Sequence, residues 1–301
     1  MRNAFAEAFY EAACEDQRLC MVVADLSPAG SMEKFRERFP RRFINTGVAE
    51  QAMIGLAAGL AASGLRPFAY TIATFALYRP FEFVRDDLCY QNLPVTVVGM
   101  GAGLSYSTLG STHHAQEDVA VACALPNLTV LAPCDPAETR LCTRWCATEA
   151  RGPVYLRLGK ADEPDLTTGA DTFRFGKLRY LQRGADVCIL GYGPILERGR
   201  ELARRLEAQG ESVSLVSAHT LKPLDVEGIV QALASHRRMV VLEEMTPHGL
   251  GLRVKAIAHD CMAWARIEAF ALRDEFIHCY GTRDDILAAH GLGLDTMEAR
   301  I

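Results

Sequence analysis

Eight short runs of this chain are almost continuously apolar, and they limit its fold more than any other feature. They span 21–24, 67–72, 95–99, 129–132, 154–156, 187–191, 212–217 and 239–243. A strand with one face in water alternates apolar and polar residues. An unbroken β-branched run is what a strand buried on both faces carries, as in a parallel sheet. Amphipathic or Ala-rich helical stretches separate the runs, clearest over 2–17, 50–62, 136–147, 194–209 and 225–234. Parallel strands need long crossovers, and helices supply them, so α/β architecture is expected. The stretch from Ala161 to Asp171 is polar and has no apolar period. It reads as a linker between two domains, each a mostly parallel sheet flanked by helices. The expected boundaries are 1–165 and 176–301, joined by 161–175.

The 301 residues fit two domains at roughly 100–200 residues each. Half of them are apolar and 23% are charged, which excludes a disordered chain. A net charge of −5 with no basic stripe excludes a nucleic-acid binder. The most apolar stretch, 52–65, is shorter than the ~20 residues a membrane span requires. The N-terminus carries Glu7 early and has no apolar signal core, so a cytoplasmic location is the expectation. The ten cysteines are scattered without a CxxC pair. They read as reduced core residues and not as a disulfide or zinc framework.

Four groups of residues are candidates for chemistry. Glu50 opens a stretch, 50–61, made otherwise almost wholly of Ala, Gly, Leu, Ile and Met. Such a helix is buried on most sides, so Glu50 is either a catalytic carboxylate in apolar surroundings or an acid placed well against the helix dipole. Phe75, Tyr78 and Phe81 recur every three residues, which by spacing alone describes a helix face contributing to a core. His113 and His114 sit in a Gly/Ser/Thr loop after run 95–99. They read equally as exposed loop histidines or as site residues at a strand C-end, and a metal site with Glu117 is a remote third reading. Arg157 and Lys160 form a basic pair at the end of another strand.

The segment Gly47-Val48-Ala49-Glu50-Gln51 before a small-residue helix resembles the cofactor-activating motif of the transketolase superfamily. Ala24-Asp25-Leu26-Ser27 upstream resembles the Ala-Asp-Leu strand end of that family, and Thr74-Phe75 with Tyr78 and Phe81 its pyrimidine-binding segment. Gly110-Ser111-Thr112-His113-His114 is similar to its Gly-Pro-Thr-His-Gln. Asp135-Pro136 after run 129–132 resembles its strand-then-Pro-x-Asp step, and Lys222-Pro223-Leu224-Asp225 its C-terminal-domain turn. These motifs cover almost the whole chain in the family's order.

The resemblance implies thiamine diphosphate as cofactor and transfer of a two-carbon ketol unit from a ketose, or ketose phosphate, to an aldehyde. Glu50 would bond the N1′ atom of the aminopyrimidine, with Phe75 and Tyr78 stacking on its ring and Phe81 and Asp25 beside it. His113 would handle substrate hydroxyl protons. His114 stands where the family has Gln, and Lys160, with Arg157 two strand positions short of it, stands where the family has a phosphate-binding Arg. The departures are Thr108 and Leu109 in place of an acidic pair and Gly101 in place of a His. They imply an unusual donor or acceptor. No Gly-Asp-Gly is found, so the diphosphate and Mg²⁺ ligands are expected on a second subunit, in an α₂β₂ assembly. Alternatives are a β subunit of a 2-oxo acid dehydrogenase, a decarboxylating enzyme like deoxyxylulose-phosphate synthase, and a non-catalytic regulatory relative. A nucleotide-binding oxidoreductase rests on the α/β pattern alone.

Overall fold

A computed structural model describes residues 1–26, 31–161, 163–167 and 173–301. Ser27 of the first motif, and Asp162 and residues 168–172 of the linker, lie outside them. Six strands of the first half run parallel: β1 (Leu19–Val23), β2 (Phe43–Asn45), β3 (Arg66–Ile72), β4 (Thr96–Met100), β5 (Thr129–Leu131) and β6 (Val154–Leu158). The second half supplies β7 (Arg179–Gln182), β8 (Val187–Gly191), β9 (Val213–Ser217), β10 (Thr220–Lys222), β11 (Arg238–Leu242) and β12 (Arg266–Phe270). The second sheet has the order β12-β11-β8-β9-β7, with only β7 antiparallel. The first has the order β10-β5-β6-β4-β3-β1-β2, so β10 crosses from the second half and closes the β5 edge in antiparallel fashion.

Helices α1 (Arg2–Glu15), α2 (Ser31–Arg38), α3 (Glu50–Ala62), α4 (Ala73–Leu77), α5 (Phe81–Phe83), α6 (Asp118–Ala124) and α7 (Pro136–Thr148) connect the first set of strands. Helices α8 (Leu196–Ala208), α9 (Val226–Ser235) and α10 (Leu250–Asp260) connect the second, followed by α11 (Arg283–Leu287) and α12 (Leu294–Glu298). The period-2 geometry of a strand sends neighbours to opposite faces. Accordingly Met21, Phe68, Val98 and Leu156 pack with Phe5 and Phe9 of α1 and Cys142 and Cys146 of α7. Val22, Ala69, Val97 and Tyr155 pack with Met53, Ile54 and Ala57 of α3 on the other face. That second cluster continues through Ala218 and Leu221 to Cys188, Leu190 and Val241, so one apolar core spans both halves.

The central strands are the ones their apolar runs predict. β2, β7 and β12 escape that reading because they are edge strands, only partly buried, and carry polar residues within their runs. Six of the ten cysteines are buried and Cys123 is half-buried. Cys14, Cys261 and Cys279 are exposed, so the core reading holds for most and not for these three. No helix among the described residues is long and apolar enough to cross a membrane.

Two turns matter for what the fold positions. Asp135 caps α7, accepting from the Glu138 N–H at 2.7 Å, while its other oxygen accepts from Leu166 and Thr167. Asp225 caps α9 and accepts from the Leu178 N–H, and Lys222 Nζ donates to the Cys123 and Leu125 carbonyls at the end of α6. These turns join the halves and carry no site residue.

Candidate active site

Parallel strands end at one edge of a sheet, and the loops that leave there form the site in α/β proteins. Here those loops bring Asp25 from β1, Glu50 from β2, Phe75 and Arg79 from β3, residues 101–114 from β4 and Lys160 from β6. Asn45 Oδ1 ties the first two loops, accepting from the Asp25 N–H at 3.1 Å and the Gly47 N–H at 2.9 Å. Asp25 takes a positive φ of 50°, a conformation that Asp tolerates better than most residues.

Glu50 is the first residue of α3 and is 4% exposed. Its surroundings are not wholly apolar as the sequence suggests: Arg79 Nη1 donates to Oε1 at 2.9 Å. Sequence reasoning misses Arg79. No helical period marks it, because Arg79 lies in the turn between α4 and α5. The Arg79 guanidinium lies 4.0 Å from the Phe75 ring centroid. Phe75 also meets His113 edge-on, with ring centroids 5.2 Å apart. His113 in turn approaches Tyr106 at 6.0 Å, and Lys160 Nζ lies 4.7 Å from the Tyr106 ring. Glu50, Arg79, Phe75, His113, Tyr106 and Lys160 therefore form one continuous row. Partial burial, and then the Arg79 charge, push the His113 pKa below its ordinary value. A neutral ring can accept a proton, and Nδ1 is already 2.9 Å from Thr112 Oγ1.

Four expected site residues stand apart from this row. The Tyr78 hydroxyl donates to Glu117 Oε2 at 2.9 Å and its ring packs against the core. Phe81, partly buried, packs against the same core. Arg157 is 2% exposed and bonds Asp118 Oδ2 at 2.9 Å, with the Ala115 and Glu244 carbonyls beyond. An arginine on a strand between two helical layers is driven inward, and burial is tolerated only with such partners. His114 is 1% exposed and turned inward beneath the loop, with its pKa lowered chiefly by burial. Alternation along the loop puts one histidine out and the next in.

The structure also accounts for the departures. Gly101 has a φ of 73°, and a Cβ there would run into the Tyr106 ring, which fills that space. Leu109 is half exposed. The loop itself is gripped by the second half: Glu244 accepts from the Leu104 N–H at 2.6 Å, Ser111 Oγ donates to the Ile277 carbonyl at 2.7 Å, and the Thr246 N–H donates to the Gln116 carbonyl at 2.8 Å.

Residues 1–164 match the family model for the transketolase pyrimidine-binding domain, and residues 176–297 match that for the transketolase C-terminal domain. The chain belongs to the transketolase family. It is 31% identical to one of the subunits of the apulose-4-phosphate transketolase of Phocaeicola vulgatus, over 97% of this chain and 93% of that one. It is 32% identical to the 1-deoxy-D-xylulose-5-phosphate synthase of Oleidesulfovibrio alaskensis, over 96% of this chain but only 46% of the longer enzyme. Among solved structures, one described as "Split gene transketolase, inactive beta4 tetramer" superposes with a TM-score of 0.90 and 34% identity, covering 99% of this chain and 95% of that one.

The transketolase family depends on thiamine diphosphate, and the row of residues fits its aminopyrimidine end. A flat, hydrogen-bond-donating group already rests on Phe75 and donates to Glu50, so the space accepts a planar donor of this kind. Among the described residues, no group of three or more His, Cys, Asp and Glu side chains is arranged to hold a metal ion.

Proposed function

We propose that this chain is one subunit of a thiamine-diphosphate-dependent enzyme that transfers a two-carbon ketol unit from a ketose phosphate donor to an aldehyde acceptor. The observation that carries the reading is the convergence of a buried carboxylate, Glu50, with an aromatic face, Phe75, on one planar seat. When bound, the cofactor supplies carbanion stabilisation that no side chain provides. Glu50 holds the proton at the pyrimidine N1′, Phe75 fixes the ring plane, and Asp25 borders the seat. His113, edge-on to Phe75, accepts and returns substrate hydroxyl protons. Lys160 offers a point charge to a sugar phosphate. Tyr106 and Leu109 replace polar contacts and narrow the choice of sugar.

A second chain brings the diphosphate site and its Mg²⁺, in an α₂β₂ complex. Near-complete coverage of a relative that is itself one subunit of a transketolase supports this, as does a neighbour whose tetramer of a single chain type is described as inactive. The exposed stripe of α3 beside Glu50 is the surface for that chain.

Co-expression with a chain carrying Gly-Asp-Gly and a later Asn, followed by a turnover panel with thiamine diphosphate and Mg²⁺, tests the reading. Ketol transfer lost in Glu50→Gln is the expected result. Equal activity in Glu50→Gln overturns the assignment. Release of CO₂ from a 2-oxo acid, without ketol transfer, moves the enzyme to the decarboxylating alternative. Full activity on ordinary xylulose and ribose phosphates removes the claim of altered specificity.

A further inference from the structure

Arg79 makes both of the contacts that the cofactor seat would offer an aminopyrimidine. It donates to Glu50 Oε1 at 2.9 Å, and it lies 4.0 Å over the Phe75 ring. A guanidinium is planar and delocalised, presents N–H donors in its own plane, and stacks on aromatic faces. An aminopyrimidine is likewise flat, and in its protonated or imino form it presents an N–H to a carboxylate. The burial is one-sided: the Glu50 side chain is 5% exposed, while that of Arg79 is 46% exposed. The cation therefore reaches in from solvent and keeps a route out. A carboxylate as buried as Glu50 is costly when no donor meets it, so in the absence of cofactor the seat needs an occupant.

We infer that Arg79 is the placeholder of the cofactor seat. In the free chain it holds the Glu50 carboxylate in position and covers the Phe75 face. On cofactor entry it gives up both contacts and turns into solvent. This inference rests on the proposed function for the identity of the incoming ligand. Arg79 is then a positioning residue that lowers cofactor affinity by competing for the seat. What singles out this ion pair is that one guanidinium meets the carboxylate and the aromatic face at once, the two contacts the seat would offer the cofactor ring.

The test compares wild type, Arg79→Ala and Arg79→Lys in the assembled two-chain complex, titrating thiamine diphosphate calorimetrically with Mg²⁺ present. Removing the competitor is expected to lower the dissociation constant roughly two- to fivefold in Arg79→Ala, the range of a partly exposed ion pair. Arg79→Lys, which keeps the charge but cannot stack and pair at once, falls between. In the chain alone, arginine side-chain NMR should show one guanidinium with slowed rotation that Glu50→Gln abolishes. An unchanged or weaker affinity in Arg79→Ala, beside tight wild-type binding, overturns the placeholder. No binding by the wild-type complex overturns the proposed function and the cofactor part of this inference, whereas the NMR signature stands or falls without any cofactor.

Discussion

Glu50 and His113 are both linked to Phe75, Glu50 through Arg79 and His113 by an edge-on ring contact, and they face different demands. In the proposed reaction Glu50 exchanges a proton with a ring nitrogen, so its oxygens matter more than its volume. Glu50→Gln keeps the shape and the hydrogen-bonding reach but cannot exchange that proton. Turnover by the assembled enzyme should fall by at least about 10²-fold, the usual scale of general acid–base contributions. Sedimentation of the two-chain complex should not change. His113 belongs to a set with His114 and His290, all with pKa values lowered first by burial. In the unfolded chain these rings titrate near about 6.5, and in the fold they titrate lower. Between those values the unfolded state binds more protons, so stability is lost as pH falls below about 6.5. Urea midpoints measured at pH 7.5 and 5.5 should therefore drop on the acid side, and His114→Gln should flatten that drop. An unchanged midpoint would contradict the burial of these rings.

At the scale of the element, α3 shows why a buried-looking sequence need not be buried by its own chain. Met53, Ile54, Ala57 and Ala58 face the core, while Gln51, Ala52, Leu56 and Gly59 remain exposed and Val48 before them is 70% exposed. Small residues there let another backbone approach closely. Leu56→Asp should leave the chain folded by circular dichroism, since the site is at the surface, and abolish co-purification with the second chain. Retained assembly would place the interface elsewhere. The same helix marks the limit of legibility. Periodicity identifies α3 and the central strands because their apolar residues repeat against fixed neighbours. It cannot tell which aromatic of Phe75, Tyr78 and Phe81 faces the site, because the chain leaves α4 after Leu77 and turns before α5. Nor does it find Arg79, whose role exists only where the loops after β2 and β3 meet. Edge strands β7 and β12 are hidden for the opposite reason: partial exposure removes the apolar run that signals a strand.

Across the whole molecule, the second half does more than complete an assembly. Glu244 reaches across to the Leu104 N–H and is itself held by Arg283, whose Nε lies 3.0 Å from Oε2. The glycine at 103 is needed there, because a Cβ would lie 2.9 Å from the Glu244 carboxyl. Burial alone would raise the Glu244 pKa, yet the Arg283 charge and the hydrogen bonds it accepts hold it below the ordinary value. The loop that presents His113 is thus fastened to a partly buried ion pair of the other half. Arg283→Met leaves a buried carboxylate with only backbone donors, a change that costs about 3 kcal/mol in comparable pairs. It should lower the urea midpoint and reduce kcat, while cofactor affinity, set at Glu50 and Phe75, stays near wild type. The exposed pair of Arg237 with Glu211 provides the contrast: Arg237→Ala should change neither stability nor kcat measurably, because solvent screens it. A loss of kcat in Arg283→Met without loss of cofactor binding would place the substrate-side loop, and not the cofactor seat, under the control of the second half.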